Sequence, residues 1–160
     1  MVGSIHTARK AVAVFEDYDQ WRVDNWNSDY SKDGFRFVGE GCTRTAFLHL
    51  ASAIVYKIGS NAYNVAEAQA SKKFRGWHMM HGHSVMIPPV TLWTVGNVKV
   101  AAMEYFGDEN GYTSLSSWEY SEPRSRGWFD MHNFNMRTLP DGQLVVIDMG
   151  AFGEPENWSY

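Results

Sequence analysis

The chain has 160 residues, which supports one hydrophobic core and not two, and with 44% apolar and 15% aromatic residues burial is easily achieved. A net charge of −4 without a basic run gives no footprint for nucleic acid, and 20% charged residues is too few for an acidic DNA mimic. The single cysteine, Cys42, excludes an internal disulfide, and no signal peptide or membrane-length apolar run is present, so a reducing cytoplasm is expected with no membrane partner.

Thr7 is a candidate cap for a helix from about Ala8 to Asn25, with Ala11, Phe15, Tyr18 and Trp21 or Arg22 on one face. Such a helix packs on the strands that follow, covers apolar surface elsewhere in the chain, or mediates a homodimer. Residues 25–32 are polar and read as a linker. Residues 1–33 are thus expected to be an N-terminal helix and linker, ahead of one domain over 34–160.

From Phe35 to Phe47 the pattern is strand, Gly-rich turn, strand, with Gly39 and Gly41 in the turn. Glycines there let backbone N–H groups approach phosphate. Cys42 in the turn is better explained as a small filler than as a redox site. A third strand over 53–58 ends its apolar run on Lys57, a point charge suited to phosphate oxygens. No Gly-Lys-Ser/Thr follows, so this is not a P-loop. Residues 61–77 read as a helix, with Tyr63, Ala66, Ala70, Phe74 and Trp77 forming an inward stripe. Glu67 lies beside that stripe and is the only acidic residue between Lys57 and Glu104, so it is either the partner of Lys57 or a solvated glutamate. His78, His81 and His83 fall in the expected loop after the helix, and their spacing matches no zinc motif.

Pro88-Pro89 breaks the chain. Residues 90–94 and 98–103 then read as a hairpin around Gly96-Asn97, running into Met103-Glu104-Tyr105-Phe106-Gly107. The stretch up to Trp128, with Gly111, several serines and Pro123, is too short and broken for two helices. Next come Phe129-Asp130-Met131-His132-Asn133-Phe134-Asn135, two short strands over 136–139 and 144–147, and Asp148-Met149-Gly150. Pro140-Asp141-Gly142 joins the strands: a fixed φ, a local side-chain acceptor, then a permitted positive φ. A hairpin here brings Asn135 and Asp148 side by side, as a shared metal requires.

This order of Gly-rich turn, Lys57, Glu67, Met103, Asp130, Asn135 and Asp148 resembles the protein-kinase-like superfamily, above all the short early Ser/Thr protein kinases of T-odd-type podophages. The resemblance covers about residues 34 to 152. It implies ATP and Mg²⁺ as cofactors. Gly39, Gly41 and Lys57 would address the phosphates, and Glu67 would pair with Lys57. Met103, Glu104 and Phe106 would line the adenine, with the Glu104 carbonyl and the Phe106 N–H on its edge. Asp130 would face the acceptor hydroxyl, and Asn135 and Asp148 would hold Mg²⁺. The implied fold is α+β: a kinase-like N-lobe, with an antiparallel sheet and one helix, plus a catalytic-loop hairpin and a truncated or absent helical C-lobe. Three departures stand out. Arg44 occupies the place of the third loop glycine, Trp128-Phe129 replace His-Arg before Asp130, and too few residues follow Gly150 for an activation loop.

Two functions follow. One is an ATP/Mg-dependent Ser/Thr-type phosphotransferase of phage kind, acting in the host cytoplasm on a host protein or on itself. The other is a weak or inactive kinase-fold effector that binds and inhibits a host protein. The many aromatics, notably Trp118, Tyr120, Trp158 and Tyr160, either form an interface or cover the place of the missing helices. The hairpin's apolar residues Met131, Phe134, Met136, Leu144 and Val146 need a cover. The N-terminal helix, with Phe15, Tyr18 and Trp21, is the first candidate and a partner the second.

Overall fold

Ser4 caps the first helix, its Oγ accepting the Thr7 N–H at 3.1 Å. In the computed structural model, which describes residues 1–24, 29–80, 82–108, 125–128 and 135–152, this helix, α1, runs Ile5–Asp24. It starts one turn earlier than a Thr7 cap implies, because Ser4 is the first residue able to take up a first-turn amide. The other elements, in chain order, are β1 (Ser31–Lys32), β2 (Phe35–Glu40), β3 (Arg44–His49), β4 (Ile54–Gly59), α2 (Asn61–Phe74), β5 (Gly76–Met80), β6 (His83–Ile87), β7 (Val90–Val95), β8 (Val98–Glu104), β9 (Met136–Thr138) and β10 (Leu144–Val146). The protein is a small α+β protein.

The chain divides into two compact units, residues 1–65 with 90–105, and residues 66–89 with 106–160. The first unit is a six-stranded sheet in the order β1-β2-β3-β4-β8-β7, with every neighbouring pair antiparallel. Helix α1 lies on one face of it. Ala8, Ala11, Val14 and Tyr18 of the helix are buried with Phe35, Phe47, Tyr56, Ile58, Val100 and Ala102 of the strands. Alanines at 8 and 11 bring the helix axis close, while Tyr18 stacks on Phe37 with ring centroids 5.0 Å apart. The residues before the helix are pinned as well: Val2 N–H donates to Thr91 Oγ1 at 2.7 Å and Trp93 Nε1 donates to Val2 O at 2.8 Å. The expected N-terminal segment is therefore an integral layer of the first unit. The helix completes its own sheet's core.

The second unit contains a four-stranded sheet in the order β5-β6-β10-β9. Strand β10 pairs parallel to β6, with Leu144 opposite Val85, and antiparallel to β9. Leu144, Val145 and Val146 are all buried, as befits a central strand covered on both faces. The β5–β6 hairpin replaces the loop expected around His78 and His83, and Trp77 belongs to β5 instead of to α2. The helix stops because Gly76 has φ +120°, which no helix continues through, and because His78 Nε2 bonds the Phe74 carbonyl at 2.6 Å. Trp128 stacks on Phe152 at 5.5 Å and meets Phe74 and His78 edge-on, forming an aromatic cluster in this unit.

The β9–β10 turn forms as its residues dictate. Gly142 N–H donates to Leu139 O at 2.9 Å, Gln143 N–H to Asp141 Oδ1 at 3.0 Å, and Gly142 takes φ +85°.

Candidate active site

Alternation along β4 fixes where Lys57 points. Tyr56 and Ile58 belong to the core under α1, so Lys57, between them, faces the opposite side of the sheet. The strand register continues that row across the sheet: Ala46 is opposite both Gly39 and Lys57, and Lys57 is opposite Ala101. Lys57 is buried, at 8% exposure, between two alanines that leave its flanks low. The next row on the same face carries Val55 and Met103, which are direct partners. Gly39, Lys57 and Met103 thus share one face of the first unit, the face away from α1. Sequence reasoning passed over Ala46 and Ala101; register alone gives them their place.

The Gly-rich turn is closed by Gly41 N–H donating to Arg44 O at 2.9 Å. The Gly41 amide thus closes the turn itself. Neither Gly39 nor Gly41 has a positive φ, and a Cβ at either would meet nothing within 4 Å. The fold does not demand glycine at these two positions. It does at Gly59, where φ is +143° and a Cβ would lie 2.5 Å from Thr43 O.

Arg44 does not stand in for a loop glycine. It opens β3, is buried, and its Nη1 donates to Asn64 Oδ1 at 3.0 Å while its guanidinium lies 5.2 Å from the Tyr63 ring. Asn64 is fully buried, and its Nδ2 donates to the carbonyls of Lys57 and Lys99, both at 2.9 Å. One side chain thereby ties the start of α2 to β4, to β8 and to the exit of the Gly-rich turn. The apolar stripe expected on α2 has a polar centre, with Asn64, Glu67 and Ser71 on its buried side.

Strand β8 ends at Glu104. Tyr105 N–H donates to Ala53 O at 2.9 Å, continuing the ladder to β4. In a trans peptide the C=O and N–H point opposite ways, so the Glu104 carbonyl, in the same unit as the Tyr105 N–H, points away from β4. On that side β7 begins at Val90, opposite Met103, and the preceding residue is a proline with no N–H to give. Glu104 itself is exposed and Phe106, the first residue of its stretch in the second unit, is half-buried.

In the second unit Glu67 is fully buried, which removes the solvated-glutamate reading. Its Oε2 accepts the Met149 N–H at 2.6 Å. Met149 follows Asp148, whose Oδ1 accepts the Gly150 N–H at 3.2 Å. Asn135 is tied to the same segment, its carbonyl accepting the Ile147 N–H at 2.9 Å. The expected adjacency of Asn135 and Asp148 along the hairpin holds at the backbone: Asp148 is one residue past the partner of Asn135. The amide and carboxylate oxygens of this pair are hard donors of the kind Mg²⁺ takes. Asp130, with Met131, His132 and Phe134, lies outside the described residues, as do Trp118, Tyr120, Trp158 and Tyr160. No cluster of three or more metal-ligating side chains occurs among the described residues, His78 and His83 included. No described helix is long and apolar enough to cross a membrane.

No family model matches the chain, and no curated protein matches its sequence. Among solved structures it is similar to the chain in "The complex structure of Rv3197-erythromycin from Mycobacterium tuberculosis", with 15% identity and a TM-score of 0.43, over 97% of this chain and 57% of that one. The chain thus spans little more than half of that neighbour's length.

Proposed function

We propose that the protein is an ATP/Mg-dependent phosphotransferase of the protein-kinase type, with a kinase-like N-lobe as its first unit. The observation that carries this reading is the row Gly39, Ala46, Lys57, Ala101 on one sheet face. Lys57 is a buried cation on a central strand, at the place where the kinase pattern has its phosphate-directed lysine. The glycine in its row is one that the fold does not require, and glycine in a strand costs about 0.5–1 kcal/mol against alanine. A phosphorylated ligand lying flat against the backbone on the Lys57 face explains that glycine.

In this reading Lys57 orients phosphate oxygens, while the Glu104 carbonyl and the Phe106 N–H address the adenine edge beside Met103. Glu67 holds the segment after Asp148 in place through Met149. Asn135 and Asp148 would hold Mg²⁺, which when bound neutralises charge on the phosphates. Asp130 accepts the proton of the acceptor hydroxyl, a Ser/Thr side chain of a host protein or of the chain itself. In such a loose transfer the protein mainly positions groups and stabilises charge.

The test is thermal unfolding with and without Mg²⁺-ATP. A ligand bound only by the folded state raises the midpoint by mass action. The parent should show the shift, and Lys57→Met and Asp148→Ala should lose it. No shift in the parent at millimolar ATP overturns the reading.

A second reading, an effector that grips a host protein, is favoured by the edge strand β5. There Trp77 and Met79, two residues apart and so on one face, are 51% and 61% exposed. It gains ground if Trp77→Ser and Met79→Ser abolish capture of a host protein while the parent ignores ATP.

A further inference from the structure

We propose that α1 is a positioning element for the Gly-rich turn, acting through Arg22 and Tyr18 on Glu40. This rests on the function proposed above. Glu40 stands between Gly39 and Gly41, at the one place where a carboxylate is least welcome beside a polyphosphate. It pairs with Thr45 of β3, whose own partner Ile58 is in the core under α1, so its side chain lies on the helix side of the sheet while Gly39 faces the Lys57 side.

There the carboxylate is held from three directions. Arg22 Nη1 pairs with Oε1, Tyr18 Oη donates to Oε2 at 3.1 Å, and Thr45 Oγ1 donates to Oε1 at 3.3 Å. Arg22 is itself fixed by Asp19 at 3.0 Å. The electrostatics agree: the Glu40 carboxylate holds the Arg22 guanidinium above its ordinary pKa, and burial followed by Glu40 raises the Tyr18 hydroxyl. The helix therefore neutralises the turn's only acid and keeps it off the ligand face. At its other shoulder the turn is anchored by Arg44 to Asn64 of α2.

The clamp makes two separable demands. Arg22→Ala should remove the cation that Glu40 is paired with. It should weaken Mg²⁺-ATP binding about three- to ten-fold while adenosine, which has no phosphate, binds within about two-fold of the parent. Adding Glu40→Gln to that variant should restore ATP affinity. The melting point should move by no more than about 2 °C, since exposed pairs contribute little to stability. Independently of any ligand, amide exchange at Gly41, whose N–H closes the turn, should speed up about ten-fold in Arg22→Ala. Unchanged ATP affinity in Arg22→Ala, or equal losses for ATP and adenosine, overturns the charge-positioning role. Unchanged exchange at Gly41 overturns the clamp itself. A parent that binds no nucleotide at all defeats the phosphotransferase reading, and the Gly41 exchange then judges the clamp alone.

Discussion

Glu67, fully buried on α2, takes the backbone N–H of Met149 at 2.6 Å, so a helix carboxylate fixes the chain immediately after Asp148. Removing the acceptor of a buried amide strands the donor. Glu67→Ala should cost about 1–3 kcal/mol in denaturant unfolding. It should also accelerate exchange of the Met149 amide by more than that of the β2–β4 amides. Glu67→Gln keeps an acceptor and should cost less. Equal protection of Met149 in parent and Glu67→Ala would show that the bond does not organise the segment.

Asn64 offers a prediction of sign. Its Oδ1 faces a guanidinium and its Nδ2 faces two carbonyls. Asn64→Asp would gain an ion pair with Arg44 but would set a carboxylate oxygen against Lys57 O and Lys99 O. It should be at least as destabilising as Asn64→Ala, about 2–4 kcal/mol in a buried site. A stable Asp variant would mean that the Arg44 pair dominates.

The glycines divide by what the backbone asks of them. Gly59→Ala meets Thr43 O at 2.5 Å and Arg44 Cα at 2.9 Å with φ at +143°, and should destabilise by about 1–3 kcal/mol. Gly39→Ala meets nothing within 4 Å and should unfold within about 0.5 kcal/mol of the parent, while losing affinity for Mg²⁺-ATP. If Gly39→Ala keeps full affinity, the glycine is not there for a ligand.

Tyr30 links pH to stability. Its hydroxyl donates to Asp17 Oδ2 at 2.7 Å, Asp17 also pairs with Lys32 at 2.8 Å, and burial, then Asp17, raises the phenol above its ordinary value of 10.0. A raised pKa means the folded state holds the proton more tightly. The contribution is complete below pH 10 and lost as pH climbs through the folded value. Asp17 runs the other way. Lys32 first and Tyr30 second lower it from 3.8, so its contribution is present above that pH and fades as pH falls through the folded value. Tyr30→Phe should flatten the alkaline limb of a stability-against-pH curve. An unchanged alkaline limb would place the transition on other groups.

Local chemistry made much of the first unit legible. Alternation and turn residues delimit β2, β3 and β4. Gly96, with φ +58°, turns β7 into β8, and the Pro140–Gly142 turn joins β9 to β10. The second sheet was hidden for two reasons. Trp77 and Phe74 continue a helical spacing, and only the φ of Gly76 says that the helix has ended. The pairing of β10 with β6 joins segments some sixty residues apart, which no local pattern encodes. Of the proposed site, Lys57, Glu67, Asn135 and Asp148 are residue types that the sequence offers in order. Ala46 and Ala101 became visible only through strand register, and Glu40 only once Arg22 was seen to reach it.

The most direct measurement of the central claim is transfer of label from γ-labelled ATP with Mg²⁺, run alone and with host-cell lysate, beside an Asp130→Asn control. In the proposed mechanism Asp130 would address the acceptor hydroxyl and not the phosphates, so the variant should keep the Mg²⁺-ATP melting shift and lose incorporation. The expected result is label in protein with the parent and none with Asp130→Asn. Equal labelling by both, or no labelling by a parent that binds Mg²⁺-ATP, would contradict the assignment of this protein as a phosphotransferase that uses Asp130.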